Sequence, residues 1–218
     1  MAEVCLIVGA GPGIGRACAL AFANQGYDIA LAARHPQKLK SIASEVKLGE
    51  RAAEVYQADA GNEASLIQLV SEVRARQGDP AVLIFNAADA EMARPTQIPP
   101  SRLLEEFRAN VVGALVLAEQ VAPGMRAVGK GTILITGGGF AQEPSTDYAS
   151  LSLCKAALRN LTYTLAQELG HDGIHVATVT VHGLVQTGTH YDPDVIAQTY
   201  LRLHKQTKGH FETEAVYK

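Results

Sequence analysis

Short apolar runs alternate with longer amphipathic segments along this chain, and this alternation limits its possible folds more than any other feature. The runs are rich in Val, Ile and Ala and nearly continuous, as in strands that are covered on both faces. They lie at 4–8, 28–33, 53–58, 81–86, 132–137 and 175–181. The segments between them predict helices at 13–25, 36–48, 62–76, 101–127 and 151–170. Because each helix can form a right-handed crossover, the pattern predicts an α/β fold with a doubly wound parallel sheet.

Length and charge narrow the class of protein further. With 218 residues and no linker or internal repeat, the chain is expected to form a single domain over 1–218. Charged residues make up 19% of the sequence and the formal net charge is −3, which leaves no basic face for nucleic acid. The run VCLIVG lacks a basic leader, and no apolar stretch approaches the length of a membrane span. We therefore predict a cytoplasmic protein without nucleic-acid or membrane partners.

The cysteines and histidines form no recognisable disulfide or metal pattern. Cys5, Cys18 and Cys154 are far apart, odd in number and without CxxC spacing. The seven histidines include no HExxH motif. The sequence therefore predicts small buried thiols and no metal site.

A glycine-rich turn separates the first predicted strand from the first predicted helix. Its sequence, GAGPGIGRA, follows a GxxxGxG pattern, and an isoleucine stands where GxGxxG would require glycine. Glycines let the backbone turn sharply and approach a pyrophosphate, whose charge is met by amide hydrogens and by the positive end of the helix dipole. An ordinary glycine-rich turn would have the same composition. The order of strand, turn and helix favours a dinucleotide phosphate site at Gly9, Gly13, Ile14 and Gly15.

The end of the second predicted strand carries cations where an acidic residue is common. A nicotinamide dinucleotide without a 2′-phosphate usually meets an acidic side chain there, about twenty residues after the glycines. The segment LAARHPQKL has Arg34 and His35 instead. A guanidinium is suited to bidentate contact with a phosphate. The pattern favours NADP(H) as the cofactor, with NAD(H) as the alternative, whereas a solvated loop cation is the other interpretation of Arg34.

Five motifs occur in the order found in short-chain dehydrogenase/reductases, and together they extend to about residue 188. They are the GxxxGIG loop, the Asn after the fourth strand, NVVG at 110–113, SLSLCKAAL at 150–158 and HGLVQTG at 182–188. The chain thus resembles that family. The resemblance implies a Rossmann-like three-layer sandwich that binds NAD(P), and hydride transfer to or from a carbon of a small-molecule substrate. It also implies a homodimer or homotetramer formed through the fifth and sixth helices.

The resemblance implies roles for individual cofactor-binding residues. Asp59 in YQADAG looks like the residue that contacts the adenine, and Asn86 falls in the loop beside the cofactor ribose. The segment VHGLVQT resembles the family's NPGxVxT, in which Val185 offers backbone groups to the nicotinamide amide and Thr187 reaches the amide or the phosphates. Two stretches depart from the family pattern. The usual NNAG is FNAA here, and the Asn-Pro of the later segment is Val-His.

The proton-transfer residues that the family implies are only partly present. Lys155 resembles the lysine that holds the ribose and lowers the pKa of a tyrosine, and Asn110 resembles the asparagine that supports a water chain. A free phenol has a pKa of about 10, so the tyrosine needs such a cation to exchange protons at neutral pH. Leu151 stands at the tyrosine position, and Gly138 at the serine position thirteen residues earlier. Neither can donate a proton, so the resemblance implies an atypical member that lacks the usual catalytic Ser and Tyr.

Two residues are candidates for the missing proton donor. Tyr148 lies seven residues before Lys155, which is about 10.5 Å along a continuous helix. It could serve only if the helix begins after it, and a loop tyrosine on the rim of the site is the alternative. His182 could carry protons at the cofactor segment, although a packed histidine would look the same. The glycines at 137–139 make room for a ligand, present amides to a substrate oxygen, or form a flexible loop.

The segment after Thr187 is short for this family and predicts an abbreviated lid over 188–218. Its first part, PDVIAQTYLRLHKQ, has helical spacing with Ile196, Tyr200 and Leu203 on one side. Its last part, HFETEAVYK, is either a short edge strand or a tail. Such a lid favours an open or small substrate site.

Two hypotheses from different classes follow. The first is a divergent NADP(H)-dependent oxidoreductase that acts on a small carbonyl or related substrate, with Lys155 and Asn110 as catalytic residues. Its proton would come from Tyr148, His182, water or the substrate. The second is a non-catalytic NADP-binding sensor or assembly module, which would tolerate the loss of the Ser and Tyr. A third is dehydration or isomerisation without net cofactor turnover.

Overall fold

A seven-stranded parallel sheet forms the centre of the protein, of which the computed structural model describes residues 2–218. Its strands are β1 Val4–Val8, β2 Asp28–Ala33, β3 Ala53–Gln57, β4 Pro80–Phe85, β5 Gly131–Thr136, β6 Ile174–Val181 and β7 Glu214–Tyr217. They are ordered β3-β2-β1-β4-β5-β6-β7, and every pairing between neighbours is parallel. The predicted doubly wound parallel sheet is confirmed.

Seven α-helices connect the strands. They are α1 Ile14–Ala23, α2 Lys40–Leu48, α3 Glu63–Arg76, α4 Pro100–Phe107, α5 Gly113–Val128, α6 Ala149–Gly170 and α7 Pro193–His204. The helix predicted at 36–48 starts with a 3₁₀ turn, Pro36–Leu39, and its proline lies in the first turn, where no intrahelical N–H bond is lost. The helix predicted at 101–127 is continuous but contains a π-helical turn, Arg108–Val112. Such turns are rare and often mark functional sites.

The helices cover both faces of the sheet. One apolar layer joins α1, α2 and α7 to the sheet, and the other joins α3, α5 and α6 to it. Because side chains of a strand alternate between the faces, Leu6 belongs to one layer and its neighbour Ile7 to the other. Both are fully buried, and burial of such a side chain contributes about 1.5–3 kcal/mol to folding. The predicted three-layer sandwich is confirmed.

The position of the ligand crevice follows from the strand order. From β1 the sheet grows through β2 to β3 on one side, whereas from β4 it grows outward to β7 on the other. Between β1 and β4 the connections therefore leave in opposite directions, which opens a crevice at the carboxyl ends of the strands. The loops after β1, β2, β3 and β4 meet at this crevice.

The helical run Pro100–Val128 is the one described segment that is long and apolar enough to cross a membrane by length and composition. This corrects the expectation that no apolar stretch approaches that length. Half of its apolar window is buried inside the protein, where Leu117 and Val121 pack in the core. A core helix of a soluble protein passes the same test, so the run is weak evidence for a membrane span.

The C-terminal part of the chain contributes to the core. Ile196, Tyr200 and Leu203 of α7 are fully buried, as their helical spacing predicts. The last segment forms β7 at the edge of the sheet, paired with β6, so the alternative of a tail is wrong. Within the segment that the sequence assigns to an abbreviated lid, 188–218, α7 and β7 therefore pack against the sheet, and the loop between β6 and α7 lies near the crevice.

Candidate cofactor and catalytic site

The turn between β1 and α1 contains two glycines, Gly9 and Gly15, at which a side chain would not fit. Gly9 has a φ of +78°, and a Cβ on it would overlap the backbone of Ala87. A Cβ on Gly15 would lie 2.9 Å from the Cα of Ala10. No side chain caps α1, which begins at Ile14. The N–H groups of Ile14 and Gly15 are therefore open to an anion, whereas that of Arg16 donates to the carbonyl oxygen of Gly11 at 2.8 Å.

A cavity of about 350 Å³ opens beside this turn, at the carboxyl ends of the first four strands. Its volume is within the range of small-molecule and cofactor sites. Five of the predicted cofactor residues line it: Gly9, Arg34, His35, Asp59 and Asn86. The structure thus brings together residues from four loops that are far apart in sequence.

The rim of this cavity at the end of β2 is cationic. Arg34 and His35 are exposed on the rim, directly after Ala33, the last residue of the strand. Lys38, from the 3₁₀ turn that follows, lies on the same rim. Lys38 was not among the predicted cofactor residues, although it stands in the QKL of the same segment. Its place on the rim depends on the turn at Pro36, which brings the chain back over the cavity.

Asp59 lies on the wall formed by the loop after β3. Its Oδ1 accepts a hydrogen bond from the N–H of Gly61 at 2.9 Å, and its own N–H donates to Oγ of Ser65 at 3.1 Å. These bonds fix the loop in front of α3. The Oδ2 atom of Asp59 has no hydrogen-bond partner among residues 2–218, so it can accept from an amino group of a ligand.

Asn86 connects the loop after β4 to the glycine turn. Its Nδ2 donates to the carbonyl oxygen of Gly9 at 2.9 Å, and its Oδ1 accepts from Oγ1 of Thr136 at 2.8 Å. The side chain therefore holds two walls of the cavity together. The family resemblance places Asn86 beside the ribose, and the structure adds this contact with the glycine turn.

Lys155 lies on α6 and is 8% exposed. Its Nζ donates to the carbonyl oxygen of Thr136 at 2.7 Å. Burial lowers the pKa of Lys155 from 10.5 to about 8, and the nearby Cys154 thiol offsets only part of this shift. At neutral pH the ammonium form therefore predominates, and one of its three protons is used by Thr136.

The two positions at which the family has proton donors lie beside Lys155 but carry no polar side chain. Leu151 lies about one helical turn before Lys155 on α6. Gly138 follows β5, and a Cβ on it would lie 3.5 Å from Cε of Lys155, an ordinary van der Waals contact. A small side chain therefore fits at position 138. The structure therefore does not exclude a serine at position 138; the chain simply has glycine there.

Asn110 lies in the π-helical turn, and its side chain bonds the loop after β4. Its Oδ1 accepts from the N–H of Asp89 at 2.8 Å, and its Nδ2 donates to the carbonyl oxygen of Asp89 at 2.6 Å. Asp89 also lines the cavity. The amide of Asn110 therefore orders a wall of the cavity, and its support of a water chain stays a prediction.

Tyr148 and His182 occupy different parts of the site. Because α6 begins at Ala149, Tyr148 precedes the helix, and its half-buried ring stacks on Phe140 with the centroids 5.8 Å apart. The helix thus begins after Tyr148, which is the arrangement in which the tyrosine could serve, and its role as proton donor stays a prediction. The ring of His182 lies against Gly139, where a Cβ would be 2.8 Å from Nδ1. Its Nε2 is buried and without a hydrogen-bond partner among residues 2–218.

The segment after β6 folds against the glycine turn. A Cβ on Gly13 would lie 3.9 Å from Cγ1 of Val185, which is half-buried. The next residue, Gln186, donates its N–H to the carbonyl oxygen of Tyr191 at 3.1 Å, which closes the loop. Thr187 is exposed on this loop. Val185 is thus near the predicted phosphate site, whereas the side chain of Thr187 is in solvent.

Comparison with known proteins identifies the class of this protein. The family model for short chain dehydrogenase matches residues 3–192. A glucose 1-dehydrogenase from Gluconobacter oxydans (strain 621H) is 32% identical over 189 residues, which are 83% of this chain and 68% of that protein. The chain belongs to the short-chain dehydrogenase/reductase family, as its motifs imply.

Two solved structures are similar over nearly the whole chain. A metagenomic short-chain oxidoreductase in complex with NADP has 25% identity and a TM-score of 0.90, covering 98% of this chain and 96% of that one. An NADH-dependent reductase, A1-R′, in complex with NAD has 20% identity and a TM-score of 0.89, covering 99% of this chain and 93% of that one. Proteins of this fold therefore hold either nucleotide.

Proposed function

We propose that this protein is a divergent oxidoreductase that uses NADP(H) on a small carbonyl or related substrate. The observation that carries the proposal is the rim of Arg34, His35 and Lys38, with the cationic side chains of Arg34 and Lys38, on a cavity that also opens onto the glycine turn. A 2′-phosphate on the ribose would lie near that rim when the pyrophosphate lies at α1. No acidic residue at the end of β2 opposes it, and a guanidinium can bind such a phosphate in a bidentate manner.

In this proposal, different residues of the chain bind different parts of the nucleotide. Asp59 would accept from the adenine amino group, and Asn86 would hold the loop beside the ribose against the glycine turn. Val185 and Thr187 would meet the nicotinamide end. The nucleotide, when bound, supplies or accepts a hydride. Lys155 would hold the nicotinamide ribose through protons that Thr136 leaves free.

Proton delivery is the part of the reaction for which this chain departs from its family. The side chains of Leu151 and Gly138 cannot donate, and Lys155 and Asn110 remain as the family-type catalytic residues. His182, Tyr148, water or the substrate would then supply the proton. Nδ1 of His182 lies at the glycine triplet, whereas the ring of Tyr148 stacks on Phe140.

The proposal is tested by following NADPH oxidation over a panel of small aldehydes, ketones, enones and imines. We expect turnover that Lys155→Ala abolishes and Arg76→Ala leaves unchanged, since Arg76 lies at the far end of α3. The single variants Tyr148→Phe and His182→Ala then assign the donor. Absence of turnover across the panel, in protein that binds NADPH, would contradict the catalytic proposal.

A second candidate function is a non-catalytic NADP-binding sensor or assembly module. Its support is the same pair of positions, because Leu151 and Gly138 remove proton donors without disturbing the cofactor-binding loops. Under this function NADPH binds but no hydride leaves it. A change in oligomer size on addition of NADPH, measured by light scattering, would favour the sensor, and equal size with and without nucleotide would count against it.

We also propose that the protein is a cytoplasmic homodimer or homotetramer. Leu104 of α4 and Leu153 of α6 are 58% and 56% exposed, and large apolar side chains on neighbouring helices favour contact with a second copy. Light scattering of the purified protein tests this state. A monomer at all concentrations, unaffected by Leu153→Glu, would contradict it.

A further inference from the structure

We infer that Tyr200, on α7, is a positioning residue for the cofactor site, acting through Thr136 on Asn86; this inference rests on the proposed nucleotide binding. Tyr200 is 0% exposed, and its phenol oxygen lies 2.7 Å from Oγ1 of Thr136. It comes from a segment with no counterpart among the cofactor motifs. The helical spacing alone marks it as an ordinary core residue.

Three hydrogen bonds join Tyr200 to Thr136, Thr136 to Asn86 and Asn86 to Gly9, and the direction of each is fixed by the next. Because Nδ2 of Asn86 donates to Gly9, its Oδ1 faces Thr136 and can only accept. The single hydroxyl proton of Thr136 is therefore used for Asn86. The phenol of Tyr200 must then donate to Thr136.

The burial of Tyr200 keeps the phenol in the form that this role requires. Burial, assisted by the nearby Cys18, raises the pKa of Tyr200 well above its usual value, although the Thr136 hydroxyl acts in the opposite direction. The phenol therefore stays protonated over the whole physiological range. A neutral phenol can donate its proton to Thr136, whereas a phenolate could not.

Thr136 is the junction through which this bond reaches the site. Its hydroxyl contacts Asn86 and Tyr200, and its carbonyl oxygen accepts from Lys155. Without the phenol, the Thr136 hydroxyl loses its donor and is no longer confined to one orientation. The Asn86 amide then loses the constraint that directs its Nδ2 to the glycine turn. We therefore expect a looser contact between two walls of the cavity and weaker nucleotide binding.

The experiment is a calorimetric titration of NADPH into the full chain and its variants. Tyr200→Phe keeps the ring and is expected to raise Kd at least fivefold. Thr136→Val is expected to raise it as much or more, and Thr136→Ser, which keeps the hydroxyl, to leave it within twofold. In the double variant Tyr200→Phe/Thr136→Val, Kd should be no higher than in Thr136→Val alone, because both changes break the same chain of hydrogen bonds.

Tyr27→Phe is the matched control. Tyr27 is also buried in the same apolar layer, but its hydroxyl bonds Glu3 and His204 away from the crevice. Its Kd for NADPH should stay within twofold of wild type even if the variant is less stable. Equal Kd values for wild type and Tyr200→Phe, or equal losses in Tyr200→Phe and Tyr27→Phe, would overturn the inference while leaving the proposed function intact. Failure of the wild-type protein to bind any dinucleotide would overturn both.

Discussion

The two ends of the crevice differ in how fully their polar groups are prepared for a ligand. At the end formed by β1 to β4, the glycine turn, the cationic rim, Asp59 and Asn86 surround one cavity. At the end formed by β5 and α6, Lys155 is in place, but Gly138 and Leu151 contribute no polar side chain. In the proposed function, binding of the adenine half and proton transfer depend on different strands, so a chain can retain one and change the other.

The largest expected effect comes from restoring the two missing side chains. Gly138→Ser with Leu151→Tyr should raise NADPH-dependent turnover by about 100-fold, since a positioned proton donor contributes about 10²–10⁴-fold. The serine fits because a Cβ at position 138 makes only an ordinary contact with Lys155. Turnover is measured by NADPH oxidation with the carbonyl panel.

The matched control places the serine one residue further. Gly139→Ser with Leu151→Tyr should gain little, because a Cβ at position 139 lies 2.8 Å from Nδ1 of His182 and displaces that ring. If both double variants bind NADPH but neither gains activity, the two ends differ by more than the side chains at 138 and 151.

A smaller effect is expected from a change at Glu214, which should lower the stability of the protein without changing nucleotide binding. Glu214 of β7 accepts hydrogen bonds from Arg159 and Tyr163 of α6 and from Thr180 of β6. Burial raises its pKa, but these bonds together lower it from 4.5 to about 2. Glu214→Gln should reduce the free energy of unfolding by about 2 kcal/mol at pH 7 and leave the Kd for NADPH unchanged.

The pH dependence of that difference has a defined sign. A carboxyl group whose folded pKa is lowered contributes its stability fully above the unfolded value, here about 4.5, and loses it as pH falls toward 2. The difference between wild type and Glu214→Gln should therefore shrink below pH 4.5 in urea unfolding. A constant difference from pH 7 to pH 3 would show that the carboxylate charge is not the cause.

A further effect, about tenfold or less, concerns the charge on Lys155. Its pKa of about 8 means that the ammonium loses its proton as pH rises through that value. We expect the affinity for NADPH to fall severalfold between about pH 7 and pH 9.5, since charge-assisted hydrogen bonds are stronger than neutral ones. Calorimetry across this range measures the change. Lys155→Met should bind more weakly at pH 7 and show no such step, and an identical step in that variant would assign it to another group.

The smallest expected effect is that of Tyr148→Phe. Because the contact of its ring with Phe140 does not involve the hydroxyl, loss of the hydroxyl should change turnover less than twofold. The rate of NADPH oxidation, compared with that of His182→Ala, measures it. A tenfold loss in Tyr148→Phe alone would contradict this expectation and would make Tyr148 the proton donor.

The sequence predicted the sheet and five of the residues that line the cavity, because both follow from local patterns. Once the apolar runs are strands of a parallel sheet, residues just after them, such as Arg34 and Asn86, must lie at one edge. Contacts that depend on side-chain direction were not predictable. The hydrogen bond from Tyr200 to Thr136 joins residues 64 positions apart, and the presence of a Tyr and a Thr in the sequence does not indicate that they are bonded. The π-helical turn at Asn110 also leaves no pattern in a continuous helical segment.

The most direct test of the account is a titration of wild-type protein with NADPH and NADH, in parallel with Arg34→Ala. We expect NADPH to bind more tightly than NADH. Arg34→Ala should raise the Kd for NADPH about tenfold or more and leave the Kd for NADH unchanged. The reason is that a charge-assisted bond to phosphate contributes about 1.5–3 kcal/mol. Equal loss for both nucleotides, or no binding of either, would contradict the claim that this end of the crevice is an intact NADP(H) site.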